Sequence, residues 1–348
     1  MVRLSARKQA CALLVALALA ILSITFLLHQ NDQHWRTVGH LNVPRWQFTS
    51  ATVGNTVIAV GGYNYNVGGP LQSVEAQTDG KGAWTEYSGD HGLRVPRAGA
   101  GVGVLGGVLY VVGGDSAHAG DTIEKYDPAS KTWTLLSEKM GTLRQELAVA
   151  VVDSTLYALG GQIPPNTEKS SLNLLASVEC FHDGAPPAWT PCIPPMQQPR
   201  AFFGAGALGG YLYAVGGSSD GNNGLASVER YDFGAAAWAD VRPMNVARQS
   251  LGVCVFHGRL FALGGQASST SPHAFNSVEY YAPAADAWRP VDSLVKTRVS
   301  FGVAVVDDAI LVQGGFACQT FAEHFFRSNA LYCTATPRIL IPECSAVS

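Results

Sequence analysis

Residues 200–217 read RAFFGAGALGGYLYAVGG, and this stretch contains the pattern that decides the fold. An Arg opens it, an apolar run leads to a first Gly-Gly doublet at 209–210, and a second apolar run ends at the doublet 216–217. Short apolar runs bounded by turn residues are typical of β-strands. The stretch therefore predicts two short strands joined by a hairpin turn at the first doublet.

The same pattern recurs along the chain. Doublets that end apolar runs are spaced by 47 to 56 residues, at 61–62, 113–114, 160–161, 216–217, 264–265 and 314–315. An Arg opens each unit, at Arg45, Arg97, Arg144, Arg200, Arg248 and Arg298. A Trp closes five of them, at Trp84, Trp133, Trp189, Trp238 and Trp288. Such a period indicates a repeat architecture of small sheets.

A wider motif surrounds these markers. In the fourth unit, residues 228–232 read VERYD, followed by Trp238 and by a Pro-Met pair before Arg248. This combination resembles the kelch repeat. The resemblance implies an all-β fold, a six-bladed kelch-type β-propeller over residues 35–337, with residues 338–348 as a C-terminal tail.

The last unit departs from the pattern because no Trp follows its strand near Tyr332. Trp35 lies upstream of the first complete unit, in a segment that resembles the Trp-to-Arg segment of the other units. We therefore expect the strand at Trp35 to complete the last blade. Closure of this kind removes the exposed sheet edges that promote aggregation.

The N-terminus has a different composition. Residues 1–9 form a short basic tail, and residues 10–28 are uncharged and long enough for one helix to cross a bilayer. This predicts a transmembrane or signal-anchor helix, with the N-terminus cytoplasmic and the propeller lumenal, periplasmic or extracellular. The alternative is a signal peptide that is cleaved, which gives a secreted protein.

Six cysteines lie beyond the hydrophobic segment. An even number in an exported domain permits disulfides. Cys180 and Cys192 are expected on adjacent antiparallel strands, and Cys318 and Cys333 flank a loop in the last blade. We expect a bridge within each pair.

The six opening Arg residues have two interpretations. Unpaired charges about 10 Å apart repel by roughly 2 kcal/mol per neighbouring pair, which favours pairing. Five units carry a Glu at one repeat position: Glu75, Glu124, Glu179, Glu229 and Glu279. The Arg and Glu residues either form repeated internal pairs, or several Arg side chains line a channel mouth and bind an anionic ligand. The sixth unit has Tyr332 at the Glu position, so Arg298 is the candidate spare charge.

Positions just after each Arg vary between units, and positions free to vary are available for recognition. The candidate ligand-binding residues there are Trp46, Gln47, Gln145, Phe202 and Gln249. The loops that follow each doublet vary as well. Unremarkable variation of solvated loops is the alternative explanation.

Signals for catalysis are weak, because no metal-ligand, nucleophile-elbow or phosphate-loop motif is present. We therefore expect no metal and no cofactor. Glu146, which follows Arg144 and Gln145, is a weak candidate for moving a proton. The resemblance also extends to a carbohydrate-modifying enzyme of the sialic acid epimerase (mutarotase) type, an exported six-bladed kelch protein, for which a Glu and an Arg at the channel mouth could move a proton and hold a carboxylate. The alternative is that Glu146 is an ordinary exposed or Arg-paired carboxylate.

The composition and net charge limit the classes of partner that the chain can bind. The chain has 47% hydrophobic residues and a net charge of -3, so it can bury a core and gives no electrostatic case for nucleic acid. The first interpretation is a membrane-anchored module that binds a protein or a glycan through one loop face. The epimerase-type enzyme is the alternative.

Overall fold

The computed structural model describes residues 35–80, 82–115, 119–164, 173–184, 187–271 and 273–316, and the backbone of 328–333. The predicted basic tail at 1–9, the hydrophobic segment at 10–28, Cys318, the side chain of Cys333 and the predicted tail at 338–348 lie outside the described residues. Within the described part of the chain, no helix is long and apolar enough to cross a membrane.

The described elements are strands and two 3-10 helices at Gly89–His91 and Pro283–Ala285. The strands are β1 (Trp35–His40), β2 (Thr49–Val53), β3 (Thr56–Val60), β4 (Tyr63–Asn64), β5 (Gly69–Pro70), β6 (Val74–Thr78), β7 (Thr85–Tyr87), β8 (Gly101–Leu105), β9 (Val108–Val112), β10 (Ile123–Asp127), β11 (Thr132–Leu135), β12 (Ala148–Val152), β13 (Thr155–Leu159), β14 (Val178–His182), β15 (Ala188–Pro191), β16 (Gly204–Leu208), β17 (Tyr211–Val215), β18 (Val228–Asp232), β19 (Ala237–Val241), β20 (Gly252–Phe256), β21 (Arg259–Leu263), β22 (Val278–Ala282), β23 (Ala287–Val291), β24 (Gly302–Val306), β25 (Ala309–Gln313) and β26 (Ser328–Cys333).

These strands form four-stranded sheets, one for each repeat. Five sheets use strands in chain order: β2-β3-β6-β7, β8 to β11, β12 to β15, β16 to β19 and β20 to β23. A further sheet has the order β1-β26-β25-β24, and β4 pairs with β5 in a small separate ribbon. The prediction of an all-β, kelch-type propeller is confirmed.

Glycines allow the first strands of neighbouring sheets to pack closely. A Cβ atom on Gly204 of β16 would lie 2.2 Å from Val253 Cγ2 of β20, and one on Gly252 would lie 2.4 Å from Val303 Cγ2 of β24. Non-bonded carbon atoms repel each other strongly at such distances, so a side chain at either glycine would push the strands apart. The Gly-rich inner strands are therefore a requirement of blade packing.

The hydrophobic core lies between neighbouring sheets. Tyr213 and Val215 of β17 pack with Tyr281 of β22 and Trp288 of β23, and all four side chains are at least nine-tenths buried. The closing Trp of one unit therefore anchors its sheet against the preceding one, which explains why Trp recurs with the repeat period.

Cys180 on β14 and Cys192, just after β15, are joined by a disulfide whose Cα atoms lie 5.8 Å apart. The bond links adjacent antiparallel strands, and the predicted pairing of these two cysteines is confirmed.

Candidate functional site

The opening Arg residues lie inside the protein, all six at 1% exposure or less. Arg97 is typical: its Nη1 donates to the carbonyl of Gly113 at 2.8 Å, and its Nη2 donates to Glu124 Oε1 at 2.7 Å. Corresponding contacts join Arg45 to Glu75, Arg144 to Glu179, Arg200 to Glu229 and Arg248 to Glu279. Arg298 donates to the carbonyl of Gly314 at 2.6 Å. These contacts support the interpretation of repeated internal pairs.

Each Glu also holds the segment that precedes its Arg. Glu75 Oε2 accepts from the backbone N–H of Asn42 at 2.6 Å, and its Oε1 accepts from Val43 at 3.1 Å. Burial lowers the pKa of Arg45, and the neighbouring charge of Glu75 opposes that shift. Each Arg–Glu pair therefore joins a blade to the segment that precedes its Arg. None of the six guanidinium groups is exposed, so none is available to an anionic ligand.

The residues two positions after each Arg form a closed ring, one from every repeat unit. All six adopt left-handed backbone conformations, with φ between 49° and 60°. Each backbone N–H donates to the carbonyl of the preceding member at 2.7 to 3.1 Å, so that the bonds run head to tail. The members of this channel ring are Gln47, Gly99, Glu146, Phe202, Ser250 and Ser300.

The channel ring and the first strand of each unit enclose a central cavity of about 220 Å³. Its walls are Gly, Ala, Val, Ser and Thr from the inner strands, and Phe, Leu, Gln and Ser in the ring or next to it. Among the described residues that line the cavity, Glu146 is the only ionisable one. The cavity therefore presents a single carboxyl group among neutral side chains, without an Arg or Lys beside it.

Glu146 reaches across the ring. Its Oε1 accepts from Gln47 Nε2 at 2.5 Å, and a Cβ atom on Gly99 would lie 2.6 Å from the same oxygen. Desolvation and the charge of Asp115 raise the pKa of Glu146 to about 8, although the Gln47 hydrogen bond opposes the shift. Near neutral pH the carboxyl is therefore largely protonated.

One layer outside the ring, the residue after each Arg pairs with the residue after the Gly-Gly doublet. Trp46 pairs with Tyr63, Gln145 with Gln162, and Gln249 with Gln266. Gln145 and Gln249 are 6% and 1% exposed, and Gln249 Nε2 donates to the carbonyl of Asn222 at 2.8 Å. The structure therefore brings the two variable sets of positions together at one face.

Four aromatic residues on this face form an aromatic cluster: Trp46, Tyr63, Tyr65 and Phe316. The ring centroid of Trp46 lies 5.4 to 5.7 Å from those of the other three, and it is stacked on Tyr65 with an interplanar angle of 15°. Tyr65 is 54% exposed. Tyr65 is not among the residues predicted from the sequence; the signal that points to it is an aromatic residue in a loop rich in Asn and Gly.

Metal binding has no support in the described part of the chain, where no group of three or more His, Cys, Asp or Glu side chains is placed to hold an ion.

Comparison with known proteins relates this geometry to a family. The model described as "Kelch motif" matches residues 96–140, 199–245 and 247–294. The Kelch-like protein terF of Aspergillus terreus is 28% identical over 255 residues, which cover 68% of this chain and 53% of that protein. The Kelch repeat and BTB domain-containing protein 1 of Cowpox virus is 28% identical over 160 residues, which cover 45% of this chain and 26% of that protein.

The chain therefore spans about half of the fungal relative and a smaller part of the viral one. Among solved structures, YjhT aligns with a TM-score of 0.69 and 14% identity, over 84% of this chain and 96% of that one. A likeness at this identity concerns the fold alone.

Proposed function

Since the chain belongs to the kelch-repeat family, we propose that it is a recognition module that binds a protein partner at the face carrying the aromatic cluster. The observation that carries this proposal is the position of Trp46 and Tyr65, which are stacked on each other, with Tyr65 half exposed. Exposed Tyr and Trp are enriched at protein interfaces and contribute much of their binding energy. The repeat itself does not require these residues, since other units have Ala, Gln or Val in place of Trp46.

The chemistry of the face also restricts the partner. The opening Arg residues are buried, and the carboxyl groups of Glu146 and Asp115 lie close enough to influence each other. An acidic partner segment is disfavoured, because it would bring a negative charge near Asp115, whose own charge already helps to keep Glu146 protonated. We propose a partner segment with apolar and neutral or basic side chains. A glycan is the second occupant that this surface fits, since aromatic rings and amide groups both suit it.

We also propose that the ring has six blades and that β1 completes the last one. The hydrogen bond from the N–H of Gly315 to the carbonyl of Arg45, at 3.1 Å, supports this count. Each of the other five doublets makes the same bond to the Arg of the following unit. The β1-β26-β25-β24 sheet order supports it too.

For location, we propose that residues 10–28 stay attached and hold the propeller at the outer side of a membrane. The support is the length of the uncharged run and the Cys180–Cys192 disulfide, since disulfides persist in oxidising compartments. N-terminal sequencing of the mature protein checks this: a first residue beyond position 28 contradicts the anchor and supports secretion after cleavage.

The second candidate function is a carbohydrate-modifying enzyme of the epimerase (mutarotase) type. The observation that favours it is Glu146, a carboxyl with a pKa near 8 inside a cavity, which suits proton transfer near neutral pH. Against it, the described cavity lining has no Arg or Lys to hold a substrate carboxylate. A neutral sugar is therefore the better substrate for such an enzyme.

Photo-cross-linking tests the recognition proposal. A benzophenone amino acid at position 65 should cross-link the full-length protein to one defined protein in its native membranes. The same group at position 135 is the matched control, because Leu135 is 42% exposed on β11. Cross-links of equal yield and identity from both positions contradict the proposed face. A glycan array with Trp46→Ala as the control variant then separates protein from glycan binding.

A further inference from the structure

Aromatic rings fill three of the clefts between neighbouring blades. In each, a ring from one blade meets a ring from the next, with centroids 5.6 to 5.9 Å apart: Tyr110–Phe181, Tyr157–Phe233 and Tyr213–Tyr281. The first member of each pair is the third residue of the second strand in its blade. These rings seal the clefts, because an aromatic side chain buries a large apolar area.

The first blade has a smaller residue at that position. Ile58 is the third residue of β3, and it faces Ala76 of β6 in the strand register. The corresponding pairs in the next three blades are larger: Tyr110 with Lys125, Tyr157 with Cys180, and Tyr213 with Arg230. The cleft between the first and second blades therefore lacks an aromatic ring that three other clefts contain.

A cavity of about 270 Å³ occupies this place, and we call it the Ile58 cavity. Ile58, Ala76 and Thr56 line it from the first blade, and Tyr126 and Lys131 line it from the second. A cavity of roughly 150 Å³ lined by apolar side chains is large enough to bind benzene. The Ile58 cavity therefore has room for one aromatic ring together with a polar substituent.

The rim of the cavity has one positive charge. Lys131 is exposed, and its Nζ lies 5.9 Å from the centroid of the Tyr87 ring, which also lines the cavity. Among the described lining residues, no Asp, Glu or Arg accompanies it. An anionic group at the rim gains from this ammonium, whereas a cationic group is repelled.

The Ile58 cavity lies away from the channel ring. Val53 and Thr56, which line it, flank the turn between β2 and β3, whereas Gln47 of the channel ring precedes β2. The two sites therefore lie at opposite ends of the strands, and this inference does not depend on the proposed recognition face.

We propose that the Ile58 cavity binds a small aromatic acid, with the ring between Ile58 and Tyr126 and the carboxylate at Lys131. The aromatic ring takes the place that Tyr side chains occupy in the neighbouring clefts. The carboxylate matches the single ammonium at the rim, and it stays partly hydrated there, which limits the cost of its desolvation.

Saturation-transfer NMR with 4-hydroxyphenylacetate, and with its neutral alcohol analogue, tests the proposal on the full-length protein. Saturable binding of the acid is expected. Ile58→Tyr, which places in the cleft the ring that other blades have, should abolish the binding of both compounds. Ile58→Val is the matched control and should preserve binding, since it leaves the cavity open.

Lys131→Gln separates the charge from the cavity. We expect this variant to bind the acid about fivefold more weakly and to bind the alcohol as the parent does, because a charge pair in water contributes about 1 kcal/mol. Lys125→Gln, on the same blade but outside the lining, should change neither. Thermal melts should show that all four variants are folded. Absence of saturable binding to the parent, or binding that persists in folded Ile58→Tyr, overturns the proposal.

Discussion

Each residue of the channel ring lies two positions after a buried Arg of the Arg–Glu layer. The two layers differ in whether the same side chains recur from unit to unit. In the first layer, the same side chains recur in five units and make the same contacts, as at Arg97 and Glu124. In the second layer the backbone contacts recur, but the side chains range from Gly99 to Phe202. In this protein the Arg–Glu layer therefore stabilises the fold in the same way in five units, whereas the side chains of the channel ring can differ from unit to unit.

The largest effect should come from breaking the first layer. Glu124→Ala leaves the buried guanidinium of Arg97 without its carboxylate and frees the backbone N–H groups of Arg94 and Val95. We expect a loss of about 3–5 kcal/mol in the free energy of unfolding, measured by urea denaturation. Asp90→Ala, at an exposed ion pair with Arg94, is the control and should leave the midpoint unchanged. Similar midpoints for both variants contradict the structural role.

A smaller loss should follow from crowding the inner strands, on which the second layer rests. In Gly204→Ala the new methyl group meets Val253 at a distance that requires the strands to shift. Overpacking of this kind costs about 1–3 kcal/mol. Ala207→Val on the same strand is a control at a partly exposed position. A Gly204→Ala protein as stable as the parent indicates looser blade packing than described.

The carboxyl group of Glu146 in the channel ring predicts that the stability of the fold depends on pH. Because the folded pKa of Glu146 is about 8 and the unfolded value is about 4.3, the folded state binds more protons between these values. Stability should therefore fall as pH rises from about 4 to about 8. Glu146→Gln removes this dependence, and we expect it to exceed the parent by at least about 1 kcal/mol at pH 8. Urea denaturation of both proteins at pH 4 and pH 8 checks this. If the free energies of unfolding of the two proteins change equally with pH, the pKa of Glu146 is not raised in the folded state.

The smallest effect on stability should come from the outer face. Tyr65→Ser removes a half-exposed ring, so we expect a change within about 0.5 kcal/mol, measured by the same denaturation. Its effect on partner cross-linking from the opposite edge of the face should nevertheless be large. If Tyr65→Ser lowers the free energy of unfolding and leaves partner cross-linking unchanged, Tyr65 stabilises the fold and does not contact the partner.

The arrangement of the repeated sheets could be predicted from the sequence because the residues that stabilise it recur in every unit. The Gly-Gly doublets, the opening Arg and the closing Trp each serve one contact in every blade, so the period is visible in the sequence. The channel ring gave no such signal: Gln47, Phe202 and Ser250 adopt positive φ without being glycine. The Ile58 cavity was equally hidden, because a missing aromatic ring becomes visible only when blades are aligned by their strand register.

The head-to-tail hydrogen bonds of the channel ring have an electrostatic consequence. Six peptide dipoles that follow one another around a closed circle cancel as vectors, unlike those of a helix, which add along its axis. The backbone of the ring therefore contributes no net dipole in the plane of the ring. Glu146 is the ionisable side chain of the described lining, so the opening gains a negative charge there only as the pH rises through the pKa of that carboxyl, about 8.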